Sequence, residues 1–245
     1  MIIALATDFG SSGPYMGQVR AVLAREAPGV PVIDLFSDLP AFQPKPSAYV
    51  LAAHLGVFTP PAVVVGVVDP GVGTDRAGVL VRADDLWLCG PDNGLFALVV
   101  RRARSVEAWT LPPPPPGASA CFHGRDVFAP AAARVARGAL PEGVRPLDSR
   151  VLDRPDWPDD LAEVVYVDFY GNAMTGLRGC SVTEDTVLLA GGVALSRART
   201  FGAVARGQAF HHVNSNGLVE ISVNQGRADV VLGLTPGKGI GRPTR

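Results

Sequence analysis

Lysine is nearly missing from this chain: of its 22 basic residues only Lys45 and Lys238 are lysines. The rest are arginine in an Ala-, Gly- and Pro-rich background that looks like GC-rich coding, so no arginine gains significance from its type alone. An excess of one charge is missing too, with 22 basic against 23 acidic residues. A surface that tracks phosphates needs concentrated cations, so no nucleic-acid partner is expected. No segment approaches the ~20 uninterrupted apolar residues that span a bilayer, so no membrane partner is expected either. The opening MIIALATDFG has neither a basic n-region nor an A-x-A-like cleavage site, and a cytoplasmic location is expected. Cysteine is sparse, and Cys89, Cys121 and Cys180 form no C-x-x-C pair, which argues against zinc or a dithiol. All three are expected to be buried and reduced, as small hydrophobes.

Several nucleotide and hydrolase signatures are absent as well. Gly71, Gly73 and Gly78 do not fit G-x-G-x-x-G, and they lead into a strand pattern rather than a helix, so the dinucleotide fingerprint fails. There is no G-x-x-x-x-G-K-[ST] and no G-x-S-x-G elbow. Asp8-Phe9-Gly10 precedes any glycine-rich loop, and His123-Gly124-Arg125-Asp126 is not H-R-D, so order excludes a kinase.

What is present is a chain of 245 residues, 47% apolar and 18% charged, the profile of a compact protein with a real core. Its first half alternates strand and helix patterns: strands at 2–6, 30–35 and 62–68, helices at 15–27 and 47–57. A hairpin is expected from 79–81 and 86–89, then the turn Pro91-Asp92-Asn93-Gly94, a helix to about Arg102, a stiff extended run at Pro112–Pro116 and a helix at 126–137. Such alternation predicts a parallel sheet covered on both faces. Between Leu140 and Pro158 periodicity fades among four prolines, which places a boundary near 155. Beyond it, strands are expected at 162–169, 186–190, 217–223 and 228–232, a small antiparallel barrel or sandwich. Two domains result, an α/β domain over 1–155 and an all-β domain over 156–245.

Four segments put ionisable or small polar residues where a strand pattern ends: Thr7-Asp8-Phe9-Gly10, Asp69 to Thr74, Pro91 to Gly94, and Phe122 to Asp126. Strand ends of this kind line the ligand crevice of open α/β sheets. Asp8 and Asp126 equally suit helix caps, Asn93-Gly94 a turn, and Gly71 with Gly73 a tight loop. Asp69 is different, because it follows the most apolar run and an unpaired carboxylate there is costly. It needs a cation, either Arg76 or Arg125.

TDFG at 7–10, VVDPGVGT-x-R at 67–76, PDNG at 91–94, FHGRDVFAPAAA at 122–133, D-x-[FY]-GN at 168–172 and NS-x-G-x-x-EI at 214–221 together resemble the S-adenosyl-L-methionine (SAM) hydroxide adenosyltransferases. These are SAM hydrolases related to fluorinase and chlorinase, and the match runs in order over nearly the whole chain. The resemblance implies a Rossmann-like N-terminal α/β domain with a central, mostly parallel sheet, followed by a small C-terminal antiparallel β-barrel. It implies cleavage of SAM at ribose C5′ by water, giving adenosine and L-methionine, with SAM as substrate, no cofactor and no metal. Asp69, Arg76 and His123 would be the hydrolytic triad. Asp8 would hold the ribose hydroxyls, Phe42 would lie against the sugar, and Phe122 would line the pocket near the reacting carbon. From the second domain, Asp168, Tyr170 and Asn172 would face the methionine and adenine ends, Ser215 the methionine, and the backbone at Arg227 and Ala228 the adenine edge. A homotrimer is implied, with each site between the first domain of one subunit and the second of its neighbour.

The chain departs from the family pattern at Gly13, where an Asp usually pairs with the methionine amino group. It departs again at Asp34-Leu35-Phe36-Ser37, in place of D-x-T-H, and at Tyr170 in place of Phe. Three other readings are less favoured. One is a metal-dependent hydrolase on Asp8, Asp69, Asp92 and His123, where a nearby Arg would compete with the cation; the others are a non-catalytic SAM- or adenosine-binding protein and a SAM-dependent halogenase.

Overall fold

The computed structural model describes residues 1–242, so positions 243–245 of the expected second domain lie outside the described residues. Two compact units divide the chain, Met1–Arg154 and Pro155–Arg245.

In the first unit, strands β1 (Ile2–Thr7), β2 (Val32–Phe36), β3 (Ala62–Val67), β4 (Gly78–Ala83), β5 (Leu86–Pro91), β6 (Val106–Thr110) and β7 (Arg145–Leu147) make one sheet ordered β2-β1-β3-β5-β4-β6-β7. The first four of that order run parallel, and β4, β6 and β7 extend them antiparallel. Helices α1 (Tyr15–Glu26), α2 (Pro44–His54), α3 (Ala97–Arg102) and α4 (Ala129–Ala136) complete the unit. The β3 segment AVVVGV is buried at every position, as expected of a β-branched run covered on both faces. Ile3, Leu5, Val63 and Val65 pack with Val19 and Leu23 of α1 and Val135 of α4. Each such side chain contributes roughly 1.5–3 kcal/mol by leaving water. Ala4, Ala6 and Val64 alternate to the opposite face and are equally buried.

The path from β1 through α1 places β2 on one side of β1, and the path through α2 returns across β1 to place β3 on the other. This reversal opens a crevice at the carboxyl ends of β1 and β3. Because β4 is antiparallel to β5, with Gly78 opposite Pro91, β4 begins at that same edge. Residues just before β4 therefore meet residues just after β3.

Two expectations change here. The 140–158 stretch is packed rather than loose: β7 pairs with β6, and Arg101 donates to Asp153 at 2.7 Å. The helix expected at 126–137 begins as a π-helical turn, Gly124–Phe128, and becomes α-helical only at Ala129. Pro130 brings no N–H to the ladder, which accounts for the change of winding at that point.

The second unit holds β8 (Leu161–Val167), β9 (Ala173–Arg178), β10 (Val187–Ala190), β11 (Val193–Ser196), β12 (Ala209–Val213), β13 (Leu218–Val223) and α5 (Ala228–Leu232). Four strands form an antiparallel sheet ordered β12-β13-β9-β8, and β10 pairs with β11. Isolated bridges join the two: Glu163 with Gly239, Leu189 with Gly241, and Arg197 with His211. The bridges close a ring around Val164, Leu188, Leu195, Val219 and Ile221. The strand expected at 228–232 is the helix α5, in which Ala228 and Leu232 are buried while Val230 and Val231 face outward. That i,i+4 burial is helical, and Gly233 at φ 62° terminates it in the left-handed conformation.

Gly90 of β5 lies against Gly66 of β3, and a Cβ on Gly90 would overlap the Gly66 carbonyl oxygen. Gly90→Ala is expected to cost at least about 1–3 kcal/mol, read as a lower urea midpoint with an unchanged m-value.

Candidate functional site

Asp8 follows β1 directly and Asp69 lies two residues beyond β3, so the strand ends deliver both carboxylates to the crevice. Between β3 and β4 the chain turns tightly: Val72 N–H donates to Asp69 O at 3.3 Å and Thr74 N–H to Gly71 O at 3.2 Å. The Thr74 hydroxyl donates to the Gly71 carbonyl at 2.7 Å and accepts from Arg76 N–H at 3.3 Å. Gly73 has φ +81°, and a Cβ there would stand 2.7 Å from Ala120 O. The glycine lets this loop touch the segment that carries His123.

Of the two cations expected for Asp69, the structure selects Arg76. Its Nε donates to Asp69 Oδ1 at 3.0 Å and its Nη2 to Oδ2 at 2.5 Å, a two-point match of fork to carboxylate. The side chains are only 10% and 4% exposed. Nη1 donates to Ala77 O at 2.6 Å, and Nη2 also reaches His123 Nδ1 at 3.3 Å. A guanidinium has no acceptor, so Nδ1 receives that hydrogen bond and a neutral His123 carries its proton on Nε2. Asp69, Arg76 and His123 thus form one connected group.

Arg125 is occupied elsewhere. It grips Asp126 through Nε at 2.6 Å and Nη2 at 2.8 Å, and Gln18 of α1 through Nη1 at 2.6 Å. Asp126 in turn accepts from Ser119 N–H at 2.8 Å; its carboxyl is held below the usual range by the Arg125 hydrogen bonds. Neither Asp126 nor Asp8 caps a helix. The 122–126 segment, expected at a strand end, instead leads into the π turn, because the chain from 111 to 121 forms no strand. Phe122 packs edge-on to Phe9 and Tyr15 at 5.6 and 5.3 Å, under the Arg125 guanidinium at 5.0 Å.

Phe42 donates its backbone N–H to Asp8 Oδ2 at 3.0 Å. It holds φ 62°, costly for a bulky residue, while its ring stands 76% exposed. Burial pushes the Asp8 carboxyl above its ordinary value; the Phe42 and Asp8 N–H groups oppose the shift, and Asp69 adds to it. Asp92 pairs with Arg154 at 3.3 Å. Asn93 ties its turn to β3, donating to Val68 O at 2.7 Å and accepting from Leu95 N–H at 3.2 Å. Among the described residues no three His, Cys, Asp or Glu side chains gather as a metal site. Cys89 is buried, and burial pushes its thiol up. Cys121 and Cys180 are exposed, contrary to expectation: Cys121 lies in the turn that leads into the 122–126 segment, and Cys180 in the 3-10 turn Gly179–Ser181 after β9, which buries none of its residues.

In the second unit Asp168 accepts from Asn172 twice, from N–H at 2.8 Å and from Nδ2 at 2.9 Å, folding residues 168–172 into a turn. Gly171 has φ +83°, and a Cβ there would stand 2.8 Å from Arg227 Cβ. Arg227 donates to Phe169 O at 2.8 Å and forks onto Asp229, so the two segments lock together. Tyr170, Asn172 and Arg227 line a hollow of about 560 Å³ with Phe201 and Gln225; Ala228 is buried beside it in sequence. Ser215 sits apart, exposed in the β12–β13 turn. That turn is anchored by Asn214, which donates to buried Glu220 at 3.0 Å. Burial alone would raise the Glu220 carboxyl, but hydrogen bonds from His212, Asn214 and Ser222 hold it below its ordinary value.

The SAM hydroxide adenosyltransferase N-terminal domain model matches residues 3–145, and the C-terminal domain model of the same family matches residues 162–241. The chain is 40% identical to the (R)-S-adenosyl-L-methionine hydrolase of Thermus thermophilus, covering 94% of this chain and 95% of the relative. It is 39% identical to the hydrolase of the same name from Salinispora tropica, covering 96% and 95%. Among solved structures it is similar to an uncharacterized conserved protein from Thermotoga maritima, with TM-score 0.82, 28% identity and 98% of both chains covered. A conserved hypothetical protein from Thermus thermophilus aligns with TM-score 0.79, 37% identity and 99% of both chains.

The two carboxyls shift in opposite directions, and stability should follow. A raised folded pKa means that Asp8 supports the fold at low pH and ceases to as pH rises through that value. Asp8→Asn should therefore melt above the parent at pH 7, the gain vanishing in acid. For Glu220, with its folded pKa depressed, Glu220→Gln should melt below the parent at pH 7, the deficit shrinking as pH falls through that value. Melting temperatures measured across pH check both signs.

Proposed function

Since the chain belongs to the SAM hydroxide adenosyltransferase family, we propose that it hydrolyses SAM at ribose C5′, giving adenosine and L-methionine. The relatives are named for (R)-S-adenosyl-L-methionine, and we extend that epimer to this chain. The observation that carries the reading is the bridge that Arg76 makes between Asp69 and His123 in the crevice beside β1 and β3. A sulfonium leaves as a neutral thioether, so the leaving group needs no acid. The chemistry needs a water held in line with the C5′–S bond and partly stripped of solvent. His123, its Nδ1 engaged by Arg76, orients that water through Nε2–H. Arg76 in turn fixes the ring, and Asp69 fixes Arg76. The water becomes acidic as its oxygen bonds to carbon, so it gives up its proton late and needs no strong base.

Asp8 takes the ribose hydroxyls with Phe42 against the sugar, and Phe122 lines the space near C5′. Asp168, Tyr170, Asn172, Ser215, Arg227 and Ala228 receive the methionine and adenine ends. We assign these two sets to neighbouring subunits of a homotrimer. The bare rings of Phe169 and Tyr170, 87% and 72% exposed, suit a surface completed by another chain. The reaction proceeds without metal or cofactor: Asp69 and Asp92, which a cation would recruit, are each committed to an arginine. No described helix is long and apolar enough to cross a membrane, which fits a cytoplasmic enzyme.

Incubation with SAM should yield adenosine and methionine in equal amounts by chromatography, undiminished by EDTA. Asp69→Ala, Arg76→Ala and His123→Ala should each lower turnover by about 10²-fold or more while light scattering still reports the trimer. Dependence on added Mg²⁺ or Mn²⁺, or parent-like turnover in all three variants, would contradict the assignment.

A further inference from the structure

A second approach to the triad lies within the first unit, on the side of β4, β6 and β7. A cavity of about 590 Å³ opens there, and its walls include Arg76 and His123. Asp8, Phe42, Asp69 and Phe122 take no part in its lining, so it meets the triad from a different side than the crevice at β1 and β3. Thr74, Asp75, Thr110 and Arg145 set polar groups into a wall that is otherwise largely apolar, and the run Pro112 to Pro114 forms one side of it. A space of this size holds on the order of ten or more waters where polar groups on its wall partner them, and a proline run is stiff enough to keep it open.

We propose that this cavity is the solvent conduit of the reaction, delivering the attacking water to His123 and carrying off the released proton. The inference rests on the hydrolase reading above. In that reaction the water oxygen bonds to C5′, and the C5′–S bond breaks with its electron pair passing to sulfur. The sulfonium becomes a neutral thioether and one proton is released per turnover. On this proposal a substrate seated across the ends of β1 and β3 shuts the crevice to bulk water, as closed active sites do. The next water and the departing proton then need another route, and the cavity places solvent against the histidine and arginine of the triad.

Reversible plugging tests this. Thr110→Cys, made in a Cys121→Ser, Cys180→Ser background so that only buried Cys89 remains besides, is capped with methyl or benzyl methanethiosulfonate, and complete reaction is checked by mass. The benzyl adduct should lower kcat at least about tenfold with KM for SAM unchanged, the methyl adduct should lower it less, and dithiothreitol should restore the rate. An unchanged kcat in the fully capped protein overturns the conduit, as does a rise in KM alone, which would assign the cavity to substrate. Failure of the uncapped background to release adenosine overturns the hydrolase reading and the conduit with it.

Discussion

A carboxylate and a guanidinium facing each other, both largely buried, between β3 and β4 set the terms for the rest of the first unit. Removing either charge from water costs several kcal/mol, and their attraction offsets that cost only if the geometry is close to ideal and the remaining N–H groups find acceptors. Here Arg76 meets both oxygens of Asp69, and its other N–H groups go to Ala77 O and His123 Nδ1. The tight 69–76 loop, the bare Cα of Gly73 and the Thr74 hydroxyl bring the two groups into register. The Arg125–Asp126–Gln18 clamp performs a related task for the 122–126 segment, holding it to α1 so that His123 arrives at the same place.

The unit also carries costs that packing does not demand. Asp8 is held partly out of water near a second carboxylate, and Phe42 keeps a left-handed backbone conformation with its ring in solvent. Both features sit at the topological switch between β1 and β3. Local strain and unfavourable charge burial at such a crevice are the marks of a surface arranged for a ligand, with the surrounding sheet supplying the stability that they give up.

Much of this was legible in the residues. The run at 62–67 announces a buried strand, and a carboxylate just beyond it requires a cation; sequence leaves Arg76 and Arg125 open, and only three dimensions assign Arg125 to Asp126 and Gln18. The motif residues Asn93 and Glu220 could be picked out, but their tasks of tying a turn to β3 and anchoring the β12–β13 turn depend on partners distant in sequence. Residues 228–232 mislead because Val-Val-Leu favours a strand when read locally, whereas burial of Ala228 and Leu232 on one helical face wins in context. β6 and β7 are hard to read from sequence because short strands beside prolines carry little periodicity, and β7, at the sheet edge, is only three residues long. The cavity behind the triad is invisible in sequence, since no residue type marks an empty volume.

The closing bridges of the second unit bear on how its strand edges are protected. Glu163 and Leu189 find their partners at Gly239 and Gly241, so the outer edges of β8 and β10 keep unpaired backbone groups until that late segment arrives between them. Exposed strand edges are templates for foreign strands, and contacts between residues so far apart along the chain form slowly. The stretch most distant in sequence from β8 therefore covers both edges, and a chain cut short before Gly239 would present them to other chains as open pairing sites.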